Sequence, residues 1–276
     1  MGLFTNAFLV ETPNHVVAVD ALMTLSDARS LRKRLDSIGK PLAAVIITHG
    51  HPDHYNGVTE LIRPGDQTGP KPGNPDPVPI IATRGVERVI HRTDDAKEKK
   101  WKPVYGDDWP RVRTFPNRLV SDGDTLLFDR ISFTVRELGP AESHCDTYWR
   151  VEGDPPIVFV GDLVFNGVHS FMNDGHTQQW LYQLDTLQNE LSDVGTVYTG
   201  HGRPGSLAEV LKAQREYILH YRETVRALAQ GSTALSEEAK KSLVREMKTF
   251  LPTDDLDLFI AAGADPVAAE LAAEET

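Results

Sequence analysis

The 276-residue sequence has a single cysteine, Cys145, and that scarcity is its first constraint. One thiol cannot close an internal disulfide or build a thiolate zinc cluster, and it fits a reducing, cytoplasmic setting. Long apolar runs are missing too, since none approaches the roughly 18 residues of a membrane span. Met1 to Asn6 lack a basic stretch followed by an apolar one, so no signal peptide is read there. Asn6 also breaks the myristoylation pattern. Positive charge is in deficit, with 29 Lys and Arg against 40 Asp and Glu and a formal net charge of −11. That balance argues against nucleic acid, whose capture relies on Lys and Arg neutralising phosphates. The expected partner is a small molecule, with no nucleic acid and no membrane. The 40% apolar and 25% charged content is that of an ordinary soluble protein. A chain this long builds a core without staples.

What the chain concentrates is histidine. Thr48-His49-Gly50-His51-Pro52-Asp53-His54 packs three imidazoles and a carboxylate into six residues. It directly follows an apolar run, Leu42 to Ile47, that reads as a buried strand. A strand cannot gather His49, His51, Asp53 and His54 around one point, but a tight loop at its end can, and Gly50 and Pro52 suit such a loop. A nitrogen and oxygen donor set without thiolate is typical of catalytic metal sites.

Elsewhere strands and helices alternate, with hairpins among them. Ala7 to Glu11 and His15 to Asp20 read as strands joined at Thr12-Pro13-Asn14. A helix from Ser26 carries Leu31, Leu35 and Ile38 on one side and stops at Gly39. A short helix is expected from about Asn56 to Ile62. Pro64 to Pro79 holds six prolines and three glycines, which predicts an irregular excursion before a strand from Val78 to Ala82. Arg84 to His91 reads as a helix. Thr93 to Asn117 is polar and broken by prolines, with Trp101, Tyr105, Trp109 and Phe115 spread through it. It reads as a long loop that packs down on its own aromatics or lies over a pocket. Two hairpins follow, Thr125 to Phe128 with Ile131 to Glu137, and Thr147 to Val151 with Ile157 to Gly161. Thr177 to Leu191 is an amphipathic helix and Thr196 to Thr199 a strand. From Ser206, opening on a capping box to Glu209, the pattern is wholly helical.

Three more polar residues stand just past predicted strands: His144 after Ile131 to Glu137, Asp162 closing Val158-Phe159-Val160-Gly161, and His201 in Gly200-His201-Gly202. In layered α/β folds such strand ends converge on one sheet edge, where sites are built.

This order of residues resembles the metallo-β-lactamase superfamily: an early Asp ending a strand, then H-x-H-x-D-H, a lone His, a bridging Asp and a last His. The resemblance covers roughly residues 3–205. It implies an α/β fold, a four-layer αβ/βα sandwich with a helical C-terminal extension. Residues 1–205 would be the catalytic domain and 206–276 the extension packed on it. By similarity His49, His51 and His144 would hold one metal, and Asp53, His54 and His201 the second, with Asp162 bridging them and Asp20 supporting the loop. The expected cofactor is two Zn2+ ions per chain, with Fe or Mn as alternatives. His169 and His176 follow Asp162 closely enough to border a pocket, although ordinary loop histidines are expected there.

Two ions sharing Asp162 can lower the pKa of a shared water towards neutrality, and the resulting hydroxide would attack a polarised carbonyl, with Asp53 passing a proton to the leaving group. The expected activity is therefore dinuclear zinc hydrolysis of a small ester-like substrate: a lactone, a thioester or a related acyl compound. Asp162 stands where β-lactamases of the family generally have Cys or Ser, which disfavours β-lactam or similar amide hydrolysis. The other alternative is a mononuclear iron oxidoreductase of the persulfide dioxygenase type on His49, His51 or His54, His144 and Asp162. Glyoxalase II relatives grip glutathione with a basic helical tail, and the tail here carries Lys212, Arg215, Arg222, Arg226, Lys240, Lys241 and Arg245. That tail has three open uses: covering the pocket, binding substrate, or joining two copies as a homodimer.

Overall fold

A computed structural model of the chain describes residues 3–63, 67–68 and 76–275. Its frame is a pair of five-stranded sheets. The first takes the strands in the order β1 (Phe8–Glu11), β2 (Val16–Val19), β3 (Leu42–Ile46), β6 (Ile80–Thr83) and β7 (Arg118–Val120). Only its β1–β2 edge is antiparallel. The second runs β13 (Thr196–Tyr198), β11 (Ile157–Phe159), β10 (Asp146–Val151), β9 (Ile131–Gly139) and β8 (Thr125–Phe128). Here the β11–β13 pair is parallel and the rest antiparallel. Between β3 and β6, β4 (Gln67–Thr68) pairs with β5 (Asp76–Pro77). The rest of the excursion expected from Pro64, up to residue 75, lies outside the described residues.

Side-chain alternation along the strands explains the layering. Val17, Val19, Ala44, Ile46 and Ile81 of the first sheet meet Phe133, Val135, Trp149, Val151 and Phe159 of the second in one buried cluster. The opposite face of the first sheet, with Val16, Ala18 and Val45, packs under α1 (Leu25–Ile38), the short helices α2 (Pro52–Tyr55) and α3 (Val58–Leu61), and α4 (Arg84–Tyr105). The outer face of the second, with Tyr148, Val158 and Val197, packs against α5 (Thr177–Glu190) and α6 (Leu207–Ala229). The result is the expected four-layer αβ/βα sandwich. A fully buried side chain such as Ile46 or Leu184 contributes about 1.5–3 kcal/mol through its burial. The last helices, α7 (Glu237–Phe250), α8 (Leu258–Ala262) and α9 (Ala264–Glu274), place Met247, Ile260 and Leu271 in the same cluster as α5 and α6.

Local signals explain most boundaries. Thr24 caps α1 by accepting from the Asp27 N–H, and Gly39 ends it in the left-handed region at φ 73°. Asp129 and Arg130, both at positive φ, make the tight turn between β8 and β9. Ser206 precedes α6, but its hydroxyl donates to the Glu209 carboxylate at 2.6 Å rather than capping a backbone N–H.

One expectation is corrected. The stretch after His91 is not a loop at its start, because α4 continues to Tyr105. Its inner face begins apolar with Val86 and Ile90 and then becomes Asp94, Lys97, Trp101 and Tyr105 at the same helical spacing. Asp94 accepts from the Tyr55 hydroxyl at 2.6 Å and is paired with Arg113, so the polar turn is packed rather than solvated. Trp109 is buried beneath the Arg113 guanidinium, 4.9 Å from ring centre to carbon.

Candidate metal centre

Five chain segments, each just past a strand, meet at one edge of the two sheets. Asp20 follows β2, the His49–His54 loop follows β3, residues 140–145 follow β9, Asp162 follows β11 and His201 follows β13. The seam is pinned by the Thr147 hydroxyl, which donates to the Thr48 carbonyl at 2.6 Å, and by a backbone bridge between His49 and Asp146.

Within the seam, His49, His51, Glu142 and Asp162 direct ligand atoms at one point, and Asp53, His54 and His201 at another. All seven residues are buried. His51 Nδ1 lies 3.1 Å from Glu142 Oε2, and His49 Nε2 lies 3.6 Å from the same oxygen and 3.8 Å from Asp162 Oδ2. Asp162 Oδ1 lies 3.2 Å from His54 Nε2, while its Oδ2 lies 3.2 Å from His201 Nε2. Asp53 Oδ2 completes the second group at 3.3 Å from His201 Nε2. Donors about 2.1 Å from a tetrahedral ion lie roughly 3.4 Å from one another, so the spacings are those of coordination edges.

The surroundings orient these donors. The Asp20 carboxylate takes the Thr48 N–H at 2.9 Å and lies 2.7 Å from His54 Nδ1, which leaves His54 Nε2 facing Asp162. The Thr5 hydroxyl donates to Asp53 at 2.8 Å, and Phe165 stacks on the His201 ring at 4.9 Å. Gly200 makes room for Asp162: an added Cβ there would sit 1.9 Å from Asp162 Oδ1.

The donor set fits cations. His49 Nε2, His54 Nε2, both Glu142 oxygens and Asp162 Oδ1 are buried without a hydrogen-bond partner. Burial, reinforced by the carboxylates of Asp162, Asp146 and Asp174, pushes Glu142 well above the usual carboxylate range. Burial, followed by the nearby His54, pushes His49 well below the usual imidazole range and so favours the neutral, ligating form. A cation between them turns both penalties into bonds.

Six of the seven ligand candidates read from the sequence therefore come together, and His144 does not. Its side chain is 35% exposed, its Nδ1 lies 2.7 Å from His176 Nε2, and it lines a separate groove with Arg88, Arg92 and Cys145. Two residues earlier in the same loop, Glu142 occupies the place expected for His144. The sequence signal lies in Gly139-Pro140-Ala141-Glu142, but by residue type alone the imidazole two positions on is the stronger donor candidate. Asp174 links the two regions, 3.4 Å from His51 Nε2 and 3.7 Å from His144 Nε2. His169 stays away from the site, buried between Tyr217 and the Thr253 carbonyl.

Above the donors is a cavity of about 170 Å³ lined in part by Lys97, Trp101, Phe171, Asn173 and Phe259. Such a volume suits a small substrate. The basic residues of the tail lie elsewhere: Arg215 pairs with Asp185, Arg222 with Glu274, Lys240 with Asp265 and Lys241 with Glu238. No helix among the described residues is long and apolar enough to cross a membrane.

Comparison with known proteins agrees with this geometry. The hydroxyacylglutathione hydrolase of Cupriavidus metallidurans is 29% identical over 184 residues, 66% of this chain and 58% of that protein. Its counterpart from Aliivibrio salmonicida is 26% identical over 224 residues, 80% of this chain and 71% of that protein. The atrochrysone carboxyl ACP thioesterase of Passalora fulva is 25% identical over 243 residues, 86% of this chain and 58% of that protein. The chain thus spans less than two thirds of the length of two of these three relatives. Among solved structures, a metallo-β-lactamase from Pontibacter korlensis shares the fold at a TM-score of 0.62 and 15% identity, over 78% of this chain and 87% of that one. DIM-1 metallo-β-lactamase does so at 0.58 and 19%, over 78% and 86%. The model of the metallo-β-lactamase superfamily matches residues 1–201, and the chain belongs to that superfamily.

Proposed function

We propose that this protein is a dinuclear metal-dependent hydrolase of a small ester-like substrate: a lactone, a thioester or a related acyl compound. The observation that carries this reading is the pair of donor groups joined at Asp162, which lies 3.8 Å from His49 Nε2 in the first group and 3.2 Å from His54 Nε2 and His201 Nε2 in the second. Two divalent ions held there, zinc in the first instance, would supply Lewis acidity for acyl transfer to water. The names of the relatives, a hydroxyacylglutathione hydrolase and an ACP thioesterase, support acyl hydrolysis.

The chain's own residues divide the work. His49, His51 and Glu142 would hold one ion, Asp53, His54 and His201 the other, and Asp162 both. Asp53, fixed by Thr5 and open to the cavity, is placed to carry a proton to the departing group. Trp101, Phe171 and Phe259 exclude water from the space above the donors. The pairing of the tail's basic residues with acids supports a small substrate rather than one gripped by that tail. The placement of His144 weighs against the iron oxygenase reading, which needs it beside His49 and Asp162.

The test is elemental analysis of zinc-reconstituted protein, followed by hydrolysis of a panel of lactones, thioesters, simple esters and β-lactams. Two ions per chain and turnover of an ester-like member are expected. Less than one ion per chain, or no ester hydrolysis, overturns the reading.

A further inference from the structure

The inner face of α4 brings Lys97 into the cavity wall above the donors. Among the described residues its ammonium forms no hydrogen bond and no close ion pair. Asp174, Glu142 and Asp53 attract it only at longer range. Those carboxylates are committed elsewhere: Glu142 and Asp53 face the ion positions, and Asp174 engages His51. Lys97 is half-buried, and that burial pulls it below the ordinary lysine pKa. The neighbouring Lys100 lines the same cavity, its ammonium lying 5.0 Å from the Trp101 ring.

We propose that Lys97 receives a carboxylate carried by the substrate, so that the enzyme acts on small acyl compounds bearing an acid group. The assignment rests on the hydrolase reading above and names its substrate class. A scissile carbonyl at the donors and an acid group at Lys97 would span the cavity, with the intervening carbons against Trp101, Phe171 and Phe259. A monoanion fits better than a phosphate, because Asp174 in the same wall repels a second negative charge.

The experiment is calorimetric binding of non-hydrolysable acids to the full-length zinc-loaded protein. Malonate, succinate, glutarate and adipate are compared with the monocarboxylic acids of matching length. One acid group stands in for the hydrolysis product at the ions and the second reaches for Lys97. At least one diacid should bind tenfold or more tightly than its monoacid. Lys97→Met should abolish that preference with zinc content unchanged, and Lys97→Arg should keep part of it. Lys97→Gln serves as the neutral variant if the methionine variant does not fold. Equal binding of diacids and monoacids by the unaltered protein, or binding of neither, overturns the proposal, as does a preference that survives loss of the ammonium. Failure of the hydrolase reading looks different: no ester or thioester, neutral or acid-bearing, is cleaved although two ions are bound.

Discussion

Glu142 Oε2 lies 3.1 Å from His51 Nδ1, whereas His144, two residues on in the same loop, turns its imidazole to His176. The first ion position is therefore bounded by two imidazoles and two carboxylates. Glu142→Ala should lower affinity for one of two ions by more than about tenfold, and His144→Ala should leave both in place. Metal titration of the two variants side by side checks this. Loss of an ion from the His144 variant alone would reverse the assignment.

Asp162 belongs to the first donor group and lies 3.2 Å from both His54 Nε2 and His201 Nε2 of the second, so its removal should act on both ions. Two divalent charges a few ångströms apart repel strongly, and a shared anion offsets that repulsion. Asp162→Ala is expected to reduce occupancy at both positions and to cost far more than tenfold in turnover, while Asp162→Cys or Ser keeps some zinc. His169→Ala should retain the ions and show its effect as lowered thermal stability, since that ring bonds Tyr217 and the Thr253 carbonyl inside the core. Two tightly held ions in Asp162→Ala would refute the bridge.

Gly200 is a steric requirement of the centre. A methyl group there meets Asp162 Oδ1 at 1.9 Å and the Gly161 carbonyl carbon at 2.8 Å. Gly200→Ala should cost about 1–3 kcal/mol of stability and displace the carboxylate. Calorimetric melting and zinc content should fall together; an unchanged melt with full zinc contradicts the packing described.

Asp146 gives a pH signature separate from the ligands. Burial raises its pKa to about 7, against which the Ser143 N–H is an insufficient partner, and its Oδ1 has none. A raised folded-state value means that the contribution to stability is complete at pH below about 4 and is lost as pH climbs through about 7. Asp146→Asn keeps an acceptor for Ser143 and removes the titration. The difference in melting temperature between variant and parent should therefore shift in favour of the variant from pH 5 to pH 8. A constant difference across that range would falsify the account.

How much of this was legible in the sequence follows from which signals are local. Apolar runs such as Leu42 to Ile47, closed by polar residues, gave the strands and the edge where the site lies, because burial on both sheet faces leaves an unbroken apolar record. Helix α1 was legible from Leu31, Leu35, Ile38 and Gly39. The second half of α4 was not, because Asp94 and Lys97 take inner-face positions that the pattern expects to be apolar. Its partners, Tyr55 and Arg113, are 39 and 19 residues from Asp94. Glu142 was missed for a related reason. Which of two neighbouring side chains turns inward is set by the packing of the loop after β9, and residue type alone favours the histidine.

The two sheets come from consecutive stretches of chain, residues 8–120 and 125–198. Each donor group draws on both: His49 and His51 with Glu142 and Asp162, then Asp53 and His54 with His201. An ion at either position is thus a clasp between the two halves of the molecule. Removing both leaves the inter-sheet core, the His49 to Asp146 bridge and hydrogen bonds such as Thr147 to Thr48, Asn6 to Gly200 and Thr12 to Asp129 to hold the seam. Bound metal would add to the coupling of the halves, and chelation should loosen the seam before it melts either sheet.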